Sequence, residues 1–174
     1  MRRTILSFAV PALLAVPAAA SAGTHGSGNP GYLVVRQATT DGGVNGRPVV
    51  TVVMKGFVLG HVSQEARVEI YQLPSPAGKG APQVAGADVS TNAIRWHGFT
   101  GKEYRGSNFR FSAVGGFYRV VVRGSGVYLF AGGSGNVRLR GSSVYRHRDG
   151  TYSLDGGHFR SLPEKLLKRR IGRG

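Results

Sequence analysis

Three apolar stretches carry arginine in step with a two-residue alternation: Phe109-Arg110-Phe111-Ser112-Ala113, Tyr118-Arg119-Val120-Val121-Val122-Arg123 and Val137-Arg138-Leu139-Arg140. In an extended chain successive side chains point to opposite faces. Phe109, Phe111, Ala113, Tyr118, Val120, Val122, Val137 and Leu139 then meet a core, while Arg110, Arg119, Arg123, Arg138 and Arg140 share the other side. A guanidinium is a planar fork of fixed donors that matches phosphate and carboxylate oxygens. If these strands are neighbours, five forks line one anion-binding wall. The competing reading is that charge on a solvated face keeps an antiparallel sheet soluble and its edges unpaired. A second basic cluster, Lys165, Lys168, Arg169, Arg170 and Arg173, closes the sequence, and Lys168, Arg169 and Arg170 join the candidate anion-binding set.

Other chemistries find little support. The histidines His25, His61, His97, His147 and His158 lack the close pairing that puts two imidazoles on one metal. His147, Asp149, Asp155 and His158 form the nearest approach to a cluster, but Asp149-Gly150 and Asp155-Gly156 read as turns. No G-x-S-x-G nucleophile turn occurs, and Gly132-Gly-Ser-Gly135 is followed by neither Lys-Ser nor Lys-Thr, so it does not cradle a phosphate. Glu65, Glu69 and Glu103 could pair in space for glycoside cleavage, though few acids are available. Trp96 reads as a core tryptophan or as a platform for a sugar ring. No catalytic, cofactor or metal residue is assigned.

The elements that must position the arginines are strands. Short β-branched and aromatic runs alternate with Gly-rich breaks: Tyr32 to Gln37, Pro48 to Met54, Arg67 to Leu73, Ala93 to Phe99, Phe109 to Val114, Phe117 to Arg123, Val127 to Ala131, Val137 to Arg140, and Val144 to Leu154 as a hairpin. Gly115-Gly116, Gly132-Gly133, Asp149-Gly150 and Asp155-Gly156 supply the positive φ of tight hairpin turns. The segment 74–82, rich in Pro and Gly, cannot sit inside a sheet and divides the strands into two groups within one domain. Arg123-Gly-Ser-Gly-Val-Tyr128 recurs as Arg140-Gly-Ser-Ser-Val-Tyr145, which reads as two hairpins sharing one turn chemistry or, alternatively, as a repeated strand-turn-strand unit. Ser161 and Glu164 make a capping-box pattern around Pro163, predicting a short C-terminal helix. The expected fold is all-β, an antiparallel sandwich or barrel-like arrangement of hairpins ending in that helix.

Arg2 and Arg3, the apolar stretch from Ile5 to Ala20 and the small residues Ala20-Ser21-Ala22 have the form of a cleavable signal peptide over 1–22, with cleavage before Gly23; the incomplete twin-arginine motif favours the general secretory route over the twin-arginine one without deciding between them. A flexible lead-in follows over 23–31, then an all-β domain over 32–162 and a basic tail over 163–174. The absence of cysteine excludes disulfides and thiolate sites. With 23 Lys and Arg against 8 Asp and Glu, a formal net charge of +15, the chain attracts anionic polymers and surfaces in a salt-dependent way.

The run from Gly115, Gly-Gly-Phe-Tyr-Arg-Val-Val-Val-Arg-Gly-Ser-Gly, with Val137-Arg-Leu-Arg-Gly141, Asp149-Gly-Thr-Tyr-Ser-Leu-Asp-Gly-Gly157 and Phe159-Arg-Ser-Leu-Pro163, resembles a group of uncharacterised secreted β-proteins of actinobacteria. The resemblance implies export and β-structure and carries no activity or site residues; the basic tail after Pro163 departs from it. The sequence therefore predicts a secreted, non-enzymatic β-domain, without cofactor, associating electrostatically with anionic envelope polymers or lipid head groups. Extracellular nucleic acid is a non-specific partner of the same charge, with Tyr128 and Phe130 placed to stack on bases. A polysaccharide hydrolase and a structural surface component are the alternatives.

Overall fold

The computed structural model describes residues 30–39, 43–46, 49–74, 80–86, 88–142 and 149–172. The expected signal peptide over 1–22, most of the lead-in, the end of the second Gly-Ser repeat after Ser142, the start of the expected Val144–Leu154 hairpin and His147 lie outside the described residues. Eleven strands follow in chain order: β1 (Gly31–Ala38), β2 (Val50–Val62), β3 (Ala66–Leu73), β4 (Gln83–Ala85), β5 (Val89–Trp96), β6 (Phe99–Gly106), β7 (Phe109–Gly124), β8 (Val127–Leu139), β9 (Thr151–Leu154), β10 (Arg160–Ser161) and β11 (Leu167–Ile171).

All pairings are antiparallel and belong to one sheet, ordered β10-β9-β1-β8-β2-β7-β3-β6-β5, with β11 beside β8 and β4 beside β7. The all-β expectation holds. The sheet is continuous and is not closed into a barrel, so the division into two packed halves at 74–82 does not. Strands from before and after that segment interleave: β2 lies between β8 and β7, and β3 between β7 and β6. A single sheet still needs its apolar side covered. Leu33, Val52, Met54, Val68, Phe109, Tyr118, Val120, Leu129 and Leu139 belong to one buried cluster that collects residues from both sides of the segment 74–82.

The centre consists of three long strands, with 13 residues in β2, 16 in β7 and 13 in β8. Each exceeds the usual five or six or so, and glycines let them bend. Gly115-Gly116 and Gly132-Gly133 lie inside strands and are not hairpin turns. Gly115, at φ 75°, is the extra residue of a bulge, since Gly116 pairs with Gly56 and Val114 with Phe57. The bulge switches the parity of β7, so Phe109, Phe111 and Ala113 before it and Tyr118, Val120 and Val122 after it all reach the core. Gly56 also pairs with Gly133. A Cβ on either would collide with the other strand's carbonyl oxygens. Gly116, Gly56 and Gly133 thus form a seam across three strands, dividing the outer face in two.

The C-terminal helix is absent: residues 167–171 form β11, antiparallel to β8. Ile171 is buried and Leu167 packs against the core, while Lys168 and Arg170 point away. The free edge of β8 beyond β1 supplies backbone partners that an isolated ten-residue helix lacks, and pairing overrides the local capping signal.

Candidate anion-binding recess

On one side of the glycine seam the outer face carries the sequence's arginines other than Arg110, and their cross-strand neighbours sort them into two kinds. Glu69 on β3 stands directly opposite Glu103 on β6, and both are buried, at 5% and 4% exposure. Arg67 bridges the two carboxylates, Arg105 Nε lies 2.6 Å from Glu103 Oε1, and Arg123 is ion-paired to Glu69. Tyr71 adds a hydroxyl donor to Glu69 at 3.2 Å. This is the facing pair of acids that glycoside cleavage would need, yet each is wedged among guanidiniums. The ion pairs tie β3, β6 and β7 together, and breaking one partner of a buried pair costs about 3–5 kcal/mol.

Arg119 marks the edge of the ladder. Its Nη1 is 3.7 Å from Glu69 Oε2, beyond hydrogen-bond reach, and is buried without a hydrogen-bond partner. The guanidinium lies 4.4 Å from the centroid of Trp96 and 5.1 Å from that of Tyr71. Burial pulls its pKa below the ordinary arginine value, a tendency opposed by Tyr71 and Glu69. Burial also raises the pKa of Tyr71, with the Glu69 charge adding to it.

Beyond Arg119 a recess of about 680 Å³ opens, lined by Thr51 and Val53 of β2, Arg119, Asn136 and Arg138 of β8, Arg140, Leu166, and Trp96 with His97. The last two come from the β5–β6 turn, where His97 (φ 44°) and Gly98 (φ 82°) both have positive φ, the signature of a type I′ hairpin. Ala93 to Phe99 is therefore not one strand but the end of β5, a turn and the start of β6. Arg119 and Arg138 are not on neighbouring strands, since β2 separates them: Val53 pairs with Arg119 on one side and with Asn136 on the other, and Thr51 pairs with Arg138. Both arginines nevertheless border the one recess, with the short Thr51 and Val53 between them.

The basic tail joins the same surface. Through the β11 register Lys168 is directly opposite Arg138 and Arg170 opposite Asn136. Arg169 alternates to the other side, and its Nη1 donates to the carbonyl of Lys168 at 3.1 Å. Of the expected anion-binding set, Arg119, Arg138 and Arg140 line the recess and Lys168 and Arg170 extend it. Arg123 is taken up by Glu69. Arg110 lies across the glycine seam with His61 opposite it, eight core-alternating positions from Arg119 and so about 25–30 Å along the strand.

Trp96 and His97 are the recess residues the arginine pattern missed, and the His-Gly pair was their available signal. Asn136 and Thr51 enter only through register. Asp155 Oδ1 accepts the Tyr32 amide at 2.9 Å, as befits a turn residue. Among the described residues no group of three His, Asp or Glu side chains is arranged for a metal, and no helix is long and apolar enough to cross a membrane. Comparison with protein-family models, curated proteins and solved structures finds no match to this chain.

Proposed function

We propose that the chain is an exported, non-enzymatic β-domain that holds to phosphate-bearing components of the cell envelope, polymer or lipid head group, through the recess and the β11 edge. The observation that carries this reading is Lys168 directly opposite Arg138. Like charges facing each other across an antiparallel pair destabilise it. Among the described residues neither side chain has a carboxylate in ion-pair range. A bound phosphate turns that repulsion into a bridge, and Arg119, already fixed between two rings, meets the ligand with little ordering cost. The signal-like amino terminus supports export.

The test is co-sedimentation of residues 23–174 with isolated cell walls, with walls stripped of phosphate polymers, and with anionic liposomes, across a salt series. Binding that falls steeply as salt rises is expected. Loss on stripping identifies the polymer, and retention on liposomes the head group. Soluble nucleic acid is included as a competitor. Failure to bind walls and liposomes at low salt contradicts the proposal.

A further inference from the structure

Across the glycine seam the same outer face changes character. Tyr32 on β1 and Phe130 on β8 lie 6.0 Å apart at 15°, and Phe57 on β2 meets Phe130 edge-on at 5.2 Å. All three gather around Gly132, where a Cβ would stand 2.5 Å from the Phe57 ring and 3.0 Å from the Tyr32 ring. Two side chains from flanking strands thus lie across a position at which any larger residue would push them off. Tyr128 follows two positions along β8, with its ring 6.1 Å from that of His61. Tyr32, Leu59 and Phe130 are each 40% exposed and Tyr128 is 37% exposed.

A solvated antiparallel face ordinarily carries polar residues, and each of these side chains still has apolar surface whose removal from water is favourable. The set therefore reads as a surface awaiting a partner. Its border decides which. A shallow recess of about 750 Å³ places Arg36, His61, Gln83, Arg110 and Ser112 around Tyr128 and Phe130. Exposed rings with a negative π face, bordered by directional donors and acceptors, complement a pyranose, whose C–H bonds lie on its faces and whose hydroxyls lie on its edge. A lipid surface asks for apolar side chains on a projecting tip, not for a shallow trough with polar walls. Arg110, remote from the arginines of the cationic recess, gains a place here beside Arg36 as a hydroxyl-binding fork.

We infer that the Tyr32–Phe57–Phe130–Tyr128 face is a polysaccharide-binding platform, separate from the cationic recess and working by ring stacking and hydrogen bonds rather than by charge. The inference does not rest on the phosphate reading. At about 1 M salt, where the screening length is about 3 Å, the exported chain is pulled down with peptidoglycan stripped of phosphate polymers, with chitin and with cellulose. Retention on at least one is expected, with Phe130→Ala and Tyr128→Ala each weakening it about tenfold, the loss typical of a truncated aromatic anchor. Phe130→Tyr should keep it, and Arg138→Glu should leave it unchanged while weakening low-salt binding to intact walls at least about tenfold. Unaltered melting of each variant separates lost contact from lost fold. Retention on none of the three, or retention unaffected by both alanine variants, overturns the inference. Loss of the same residues' effect from glycans and its appearance on anionic liposomes overturns it as well.

Discussion

Arg123 and Arg138 sit on the same outer face of one sheet, each flanked by apolar residues that enter the core, and yet they belong to different kinds of surface. Arg123 faces Arg67 across β3 and β7, one step from Glu69, and is held in an ion pair with it. Arg138 faces Thr51 on one side and Lys168 on the other. The difference arises from which strand is adjacent: β3 and β6 bring the two buried carboxylates, whereas β2 and β11 bring none in range. A guanidinium's role on a sheet is set by its cross-strand neighbour more than by its own strand.

The comparison can be broken hardest at Glu69. Glu69→Ala leaves the partly buried Arg119 and Arg123 without their carboxylate and Arg67 with Glu103 alone, and a loss of about 3–5 kcal/mol is expected in denaturant unfolding; a loss below about 1 kcal/mol would mean that the ladder is not structural. Truncation before residue 164 is next. It removes the buried Ile171 and uncovers the edge of β8, so a loss of about 2–5 kcal/mol is expected, read in the same assay. Deleting this tail therefore does not test the cationic surface cleanly, and a point substitution is needed.

That substitution sharpens the contrast. Lys168→Glu replaces a like-charged pair with an opposite one, so thermal stability should rise by the equivalent of about 0.2–1 kcal/mol while low-salt wall binding falls. A site that is more stable without its function is the expected mark of charges kept for a ligand. A drop in stability, or unchanged binding, would argue against it.

The smallest effect lies at high pH. Burial raises the pKa of Tyr71, Tyr104 and Tyr118 above the usual value near 10, and Glu69 adds to the shift at Tyr71. The folded state then holds phenol protons that the unfolded chain releases. The stabilisation is fully present below pH of about 10 and is lost as pH rises through the folded values. Phenolate absorbance followed with unfolding should show these tyrosines titrating late, and Tyr71→Phe should flatten the alkaline decline.

The alternation of Phe109 to Ala113, Tyr118 to Arg123 and Val137 to Arg140 was enough to place each arginine on the outer face, because a period of two is local. Pairing was not local. Gly115-Gly116 satisfies a bulge as readily as a turn, and only the partner strand β2 distinguishes them. That partner was itself cut short in the sequence reading at Met54, because Gly56 and Gly60 interrupt the run to Val62. Each of these glycines has a neighbour occupying the space of its missing side chain, the β8 backbone at Gly56 and the Phe111 ring at Gly60. At the C-terminus, Ser161 and Glu164 signalled a cap while Leu167 and Ile171 followed a strand's period; the open edge of β8 decided the matter. The fate of Arg123 depended on Glu69, distant in sequence, and no pattern within β7 contained it.

The central claim, that equivalent-looking arginines divide into structural and ligand-facing sets, is tested most directly by making Arg123→Glu and Arg138→Glu separately and measuring for each both the unfolding midpoint and wall binding at low salt. Arg123→Glu is expected to lower stability by several kcal/mol, because it adds a third carboxylate beside Glu69 and Glu103. Arg138→Glu is expected to leave the midpoint unchanged or raised and to reduce binding at least about tenfold, a difference of about 1.4 kcal/mol. Equal effects of the two reversals on stability, or full binding by Arg138→Glu, would contradict the division.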